Sequence, residues 1–231
     1  MDFRALPELV AHVRGEIARR QAIGGWTHPV TLVAVTKGFG LDAVEAALAA
    51  GLSDLGENRV QEALEKIDTP AGQGGGATWH MIGHLQRNKA KYVPGRFALV
   101  HSIDSEALAA ELERRAAERG VTVRVLVQVN VAGEGQKSGC EPAVATALAR
   151  AVAAHGHLTL EGLMTVAPLT GDAAVQRRTF RALRVLRDAL QEEELWLPAL
   201  SMGMSADYGV AVEEGATMLR LGTALFGPRS A

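Results

Sequence analysis

At 231 residues, with 48% of them apolar and 22% charged, the chain has the composition of a folded globular protein, neither disordered nor membrane-spanning. A formal charge of −2 supplies no electrostatic footprint for nucleic acid or for an anionic membrane. A single cysteine, Cys140, leaves no internal disulfide to form, and Met1-Asp2-Phe3-Arg4 lacks the basic-then-apolar order of a secretory signal; both fit a reducing cytoplasm.

The length is normal for one α/β barrel, so one domain over 1–231 is expected, and aromatics at 4% make its core aliphatic. Leu6, Leu9, Val10, Val13 and Ile17 recur at helical spacing and predict an extra N-terminal helix from Pro7 to Gln21. Strand-like runs follow at Leu32–Val35, Asp54–Gly56, Trp79–Ile82, Ala98–His101, Val123–Val129, Thr159–Met164, Ala199–Ser201 and Met218–Leu221. Between them lie helical segments at Leu41–Ala50, Arg59–Ile67, His84–Tyr92, Ser105–Arg119, Pro142–His155, Ala173–Glu193 and Ala206–Glu214. Asp42, Ser105 and Pro142 mark helix starts, and Gly51, Gly120, Gly156 and Gly215 mark helix stops. Asp68 to Ala77, with Gln73-Gly74-Gly75-Gly76, reads as a flexible surface loop. Eight strands alternating with helices predict a (β/α)8 TIM barrel.

Functional groups of such barrels sit at the C-terminal strand ends, and here those ends are polar. The first strand runs into Lys37, then Gly38-Phe39-Gly40. Lys37 is either a solvated residue at a strand end or a desolvated amine able to condense with an aldehyde. The seventh strand delivers Ser201-Met202-Gly203-Met204-Ser205 and the eighth Arg220-Leu221-Gly222-Thr223. Glycines for close approach and hydroxyls at helix starts suit phosphate in the two loops where barrels commonly bind it. Closure of strand 8 on strand 1 brings Arg220 beside Lys37, with the arginine on the inner face. An inner arginine needs a partner: Glu57 or Glu161, or a ligand acceptor. Amine, phosphate loops and arginine together suit a phosphorylated aldehyde such as pyridoxal phosphate (PLP), or a phosphosugar.

Other motifs fall short. Gly133 to Gly139 has the look of a phosphate loop, yet Gln136 stands where a glycine must precede the lysine. His80 and His84 have metal-like spacing without a third ligand, so no metal site is expected. Nothing around Cys140 predicts a reactive thiol.

Several segments carry a resemblance: Val35-Thr36-Lys37, Gly56-Glu57-Asn58-Arg59-Val60-Gln61-Glu62, and Trp79-His80-Met81-Ile82-Gly83-His84-Leu85-Gln86-Arg87-Asn88-Lys89. Lys137-Ser138-Gly139, Leu200-Ser201-Met202-Gly203-Met204-Ser205 and Arg220-Leu221-Gly222-Thr223-Ala224-Leu225-Phe226-Gly227 extend it to the C-terminal end. In these the chain resembles the pyridoxal 5'-phosphate homeostasis protein family, single-domain relatives of the alanine racemase N-terminal (fold type III PLP) barrel. The resemblance implies that Lys37 forms the internal aldimine with PLP, that Asn58 lies by the cofactor, and that Arg220 faces the pyridine nitrogen. It further implies that Ser201, Gly222 and Thr223 hold the phosphate with the Met202 backbone, and that His80 approaches the ring. The glycine-rich Gln73–Gly76 and the residues Ala206, Gly209 and Val210 depart from the family pattern without touching an implied contact.

Guanidinium only donates, so an arginine at the pyridine nitrogen cannot keep a proton there, and the ring becomes a weaker electron sink. Racemisation also needs a second acid/base opposite Lys37. In alanine racemases, by the resemblance, this is a tyrosine from a further domain; here Tyr92 and Tyr208 both fall on predicted helices. The leading expectation is a cytoplasmic protein that stores or delivers PLP and limits its free aldehyde, with PLP-dependent apoenzymes as transient partners. The alternatives are a low-activity amino-acid racemase and, more distantly, a Schiff-base aldolase on a phosphosugar. Scarce aromatics lean toward a monomer.

Overall fold

The structure, a computed structural model, describes residues 3–135 and 138–228. Lys137, quoted above within a matching segment, lies outside the described residues. Among those described, β1 (Thr31–Val35), β2 (Asp54–Glu57), β3 (Thr78–Met81), β4 (Leu99–Ile103), β5 (Val123–Gln128), β6 (Leu158–Met164), β7 (Ala199–Met204) and β8 (Met218–Leu221) close in sequence order into a parallel barrel. Most strand residues are buried because a parallel barrel strand is covered on both faces.

The helices are α1 (Leu6–Gly24), α2 (Leu41–Ala49), α3 (Val60–Ile67), α4 (Pro70–Gly74), α5 (Glu106–Glu118), α6 (Pro142–Ala153), α7 (Ala173–Glu192), α8 (Tyr208–Glu213) and α9 (Thr223–Phe226). Helix α1 buries Leu6, Val10, Val13 and Ile17, the stripe its spacing predicts, and packs on α8 and α9. Leu9 sits at the edge of that stripe and is exposed. Gly51 and Gly215 end their helices with φ of 75° and 89°, a conformation that costs glycine nothing.

Three expectations need correction. The stretch from Asp68 to Ala77 is not all loop: Thr69 caps α4 by accepting from the Gly72 N–H at 3.1 Å, and Pro70 opens the helix. Between His84 and Tyr92 only Arg87–Tyr92 is helical, as a 3-10 segment. Gly40, with Asp42 in the first turn, is the N-cap of α2.

The larger core lies between barrel and helices and is mainly aliphatic, with Trp79, Phe97, Phe180 and Phe226 its buried aromatic members. A second cluster, Leu99, Leu126, Met164 and Ala199, fills part of the lumen. Outside, Glu214 gathers Arg177, Arg181 and Arg184 from α7, while Glu213 gathers Arg177 and Arg20, tying α1 and α7 to α8. Burial works against the ionised form of both carboxyls, yet the arginine hydrogen bonds prevail and hold them below their ordinary range.

Barrel closure is tight where β6 meets β7. Gly162 pairs with Ala199, and a Cβ on Gly162 would lie 1.9 Å from the Ala199 carbonyl oxygen. Because the obstacle is backbone, it cannot rotate away. Gly162→Ala is expected to destabilise the fold by about 3 kcal/mol, the upper part of the overpacking range, measured as a lower urea midpoint at unchanged m-value.

Candidate functional site

At the end of β1, Thr36 and Phe39 close a turn: the Phe39 N–H donates to the Thr36 carbonyl at 3.0 Å, and Gly38 takes φ of 73°. Lys37 occupies the first central position of this turn and is half-buried. Glycine at residue 38 is therefore a geometric requirement of the lysine's presentation.

The turn is fastened from below by a buried ionic cluster. The Lys66 ammonium donates to the Thr36 carbonyl at 2.8 Å and to Glu57 Oε1 at 2.6 Å, with Glu62 Oε1 at 3.4 Å. Thr36 Oγ1 donates to the same Glu57 oxygen at 2.6 Å, and the Gly38 N–H donates to Glu62. Burial pushes the Glu57 carboxyl up, against the pull of Lys66 and Thr36, and its Oε2 has no hydrogen-bond partner among the described residues. Lys66 is thus a supporting residue of the Lys37 turn. It reads in sequence as one more lysine on a helix, four residues after Glu62 and nine after Glu57.

One strand over, the phosphate-type loops meet. Ser205 Oγ accepts from the Gly222 N–H at 3.2 Å and the Ala224 N–H at 3.0 Å, so two backbone amides converge on one oxygen. A Cβ on Gly222 would face Val35 at 3.7 Å, which sets this amide pair beside the strand that leads into Lys37. Phe39 and Phe226 meet with tilted rings at 5.3 Å, with Phe3 edge-on to both, pinning α9 against the lysine turn. Thr223 is exposed at the start of α9.

Arg220 is buried in the lumen, on the inner face as its alternation with Leu219 and Leu221 predicts. Its expected neighbour differs: Arg220 pairs in register with Val33, four residues before Lys37, so it sits deeper than the lysine. Its expected carboxylates are also taken, Glu57 by Lys66 and Glu161 by Arg124. Arg220 instead donates to Ser201 Oγ at 2.6 Å and the Thr165 carbonyl at 2.8 Å. Burial, opposed by the charge of Asp207, lowers the guanidinium to about 10, and it remains a cation at neutral pH.

Ser201, implied by the resemblance to hold phosphate, is buried with its hydroxyl turned into the lumen toward Arg220 and His101. The Met202 side chain packs in the outer core, leaving only its backbone for a ligand. His80 is also a lumen residue, bonded to His101 and Asp54 at 2.9 Å each, whereas His84 turns outward to Asp104 at 3.2 Å. The two histidines diverge. Asn58 is half-buried after β2, its carbonyl held where a Cβ on Gly83 would come within 2.4 Å. It borders a cleft of about 350 Å³ shared with Arg59, His84, Gln86 and Lys89. Cys140 is buried and its thiol pushed up to about 11 by that burial.

Neither tyrosine reaches the lumen. Tyr208 packs on the outer core, where Glu16 and Arg20 of α1 are its charged neighbours, and Tyr92 lies beneath the Lys91 ammonium in the 3-10 segment.

Fold and site together define an alanine racemase-like barrel, and the sequence profile of the alanine racemase N-terminal domain matches residues 17–230. Alanine racemase of Clostridium difficile shares the fold at a TM-score of 0.75 and 13% identity, over 94% of this chain and 60% of that one. The chain belongs to the pyridoxal phosphate homeostasis protein family. It is 42% identical over 229 residues to the family protein of Pseudomonas aeruginosa, covering 97% of this chain and 96% of that one. To that of Deinococcus radiodurans it is 44% identical over 224 residues, 96% of this chain and 99% of the relative. PipY of Synechococcus elongatus PCC7942, solved with PLP bound, superposes with a TM-score of 0.79 at 39% identity, over 91% of this chain and all of that one.

Proposed function

We propose that the chain binds PLP through Lys37 and acts in PLP homeostasis, storing or delivering the cofactor and limiting its free form. The observation that carries this reading is the converging Gly222 and Ala224 amides, set one strand from the Lys37 turn and above a lumen arginine. Two amides that already satisfy a serine oxygen can satisfy a phosphate oxygen, with the short turn of α9 behind them. PLP supplies an aldehyde with which an amine condenses. In this chain Lys37 would be the amine, Gly222, Ala224 and Thr223 would hold the phosphate end, and Arg220 would offer N–H donors to the ring without taking up a proton. Asn58, on the neighbouring strand end, would lie beside the ring.

Holding rather than turnover is supported by the tyrosines, which pack outside the barrel and leave the lumen face opposite Lys37 without a phenol from either. A free buried cysteine and the family relationship support a cytoplasmic setting. Transient apoenzyme partners and a monomeric state belong to the same reading. Titrating the purified protein with PLP is expected to give one bound equivalent with visible absorption distinct from free PLP. Saturating PLP without a bound fraction on gel filtration would sink the reading.

A further inference from the structure

Within the lumen, five side chains form one continuous line. Arg220 Nη1 donates to Ser201 Oγ at 2.6 Å, and Ser201 Oγ lies 2.8 Å from His101 Nδ1. His101 Nε2 lies 2.9 Å from His80 Nδ1, and His80 Nε2 lies 2.9 Å from Asp54 Oδ1. The line runs from β8 through β7, β4 and β3 to the first residue of β2, crossing from the Arg220 level to the N-terminal end of the barrel. His101 and Ser201 are fully buried and His80 nearly so; Asp54 is partly exposed, near the Arg124–Glu161 ion pair.

The protons in this line have one consistent placement. Arginine cannot accept, so Ser201 Oγ accepts from Arg220 and its own hydrogen needs an acceptor. His101 Nδ1 is the remaining partner of that hydroxyl, which makes Nδ1 the bare nitrogen and puts the ring proton on Nε2. That proton then points to His80 Nδ1, so the His80 proton sits on Nε2 and points to the Asp54 carboxylate. Every donor meets an acceptor and both rings are neutral. Burial above all, with the Arg220 charge acting in the same direction, holds the His101 imidazole well below its ordinary range, in agreement with a neutral ring. The opposite polarity would make His80 a cation in the same lumen as Arg220 and strand the buried Ser201 hydrogen without an acceptor.

We propose that Asp54, His80 and His101 are positioning residues for Arg220, acting through Ser201 as a one-way hydrogen-bond chain that fixes the guanidinium in the lumen, where it would meet the cofactor. The effect on PLP rests on the binding role proposed above; the chain itself does not. Asp54 anchors one end, and the charge of Arg220 orients the other, so the two neutral rings are locked as single tautomers. Ser201 is thereby a support of Arg220.

Long-range proton–nitrogen NMR of the histidine rings tests the chain directly, in protein with and without PLP. Bare Nδ1 and protonated Nε2 are expected for both His80 and His101; a protonated Nδ1 on either ring overturns the proposal even if PLP binds. The positioning role is tested by His101→Leu against His101→Gln, whose carbonyl can accept from Ser201 while its amide donates to His80. The PLP dissociation constant is expected to rise on the order of tenfold in His101→Leu and less than about threefold in His101→Gln, the scale seen when an outer hydrogen-bond partner of a binding group is lost. Equal affinities in a folded His101→Leu protein and the wild type overturn the role. The ring-nitrogen measurement needs no variant, so it decides the chain whether or not His101→Leu folds. Failure of the wild type to bind PLP would sink the cofactor reading and leave the tautomers as they are.

Discussion

Lys37→Ala is expected to abolish the visible absorption of PLP-loaded protein while shifting its stability by no more than about 1 kcal/mol. The turn that carries Lys37 is held by backbone and by neighbours: the Phe39-to-Thr36 hydrogen bond, the positive φ of Gly38 and the Lys66 cluster under Thr36. An alanine is compatible with the first central position of such a turn, so the loop survives the loss of the amine. The Gly222 and Ala224 amides also survive, and on the proposed reading they would leave the phosphate end a weak, reversible foothold. Spectra of wild type and variant at saturating PLP, with urea melts of both, separate the two effects. A band retained in the folded variant would show that another amine holds the aldehyde.

Lys66→Met is expected to cost about 3–5 kcal/mol at pH 7, because it leaves the Glu57 carboxylate buried without its cation. Glu57 is fully buried, already pushed up by desolvation, and keeps only Thr36 Oγ1 as a donor once Lys66 is gone. The sign with pH follows from that direction. A carboxyl whose folded-state pKa is raised binds more protons when folded, so stability falls as pH rises through the interval above its ordinary value of 4.5. The variant should therefore recover stability as pH falls toward that value, whereas a methionine that merely packed badly would give a loss independent of pH. Glu57→Gln combined with Lys66→Met should regain much of the loss at pH 7. Because Lys66 also grips the Thr36 carbonyl, the single variant should loosen the Lys37 turn and weaken PLP retention as well.

The placing of Lys37 shows what a local pattern can reveal. A buried apolar run, a lysine and then glycine give both the strand end and the turn, since each depends on neighbours within four residues. Gly222 and Thr223 were legible for the same reason, as a glycine and a hydroxyl at a strand-to-helix junction. Ser201 was legible as a residue of β7, but its direction was not: whether it faces phosphate or the lumen depends on the twist and register shift between β7 and β8. Asp54 and His101 carry no signal in the sequence, because nothing near them along the chain is unusual. They belong to the lumen line only because β2, β3, β4 and β7 turn them inward at matching heights.

The sequence by itself determined the alternation of strands and helices, the barrel that alternation builds, and the strand end from which Lys37 emerges. These follow from hydrophobic periodicity and from glycine and capping chemistry, both local to the chain. Only the tertiary structure decided the partners of the buried charges. Lys66 took Glu57, Arg124 took Glu161, and Arg220 was left to Ser201 and a carbonyl, an assignment that no spacing along the chain encodes. The physical reason is that a buried charge must be satisfied by whatever group the closed barrel brings within hydrogen-bond reach, and closure joins residues as far apart as Val33 and Arg220.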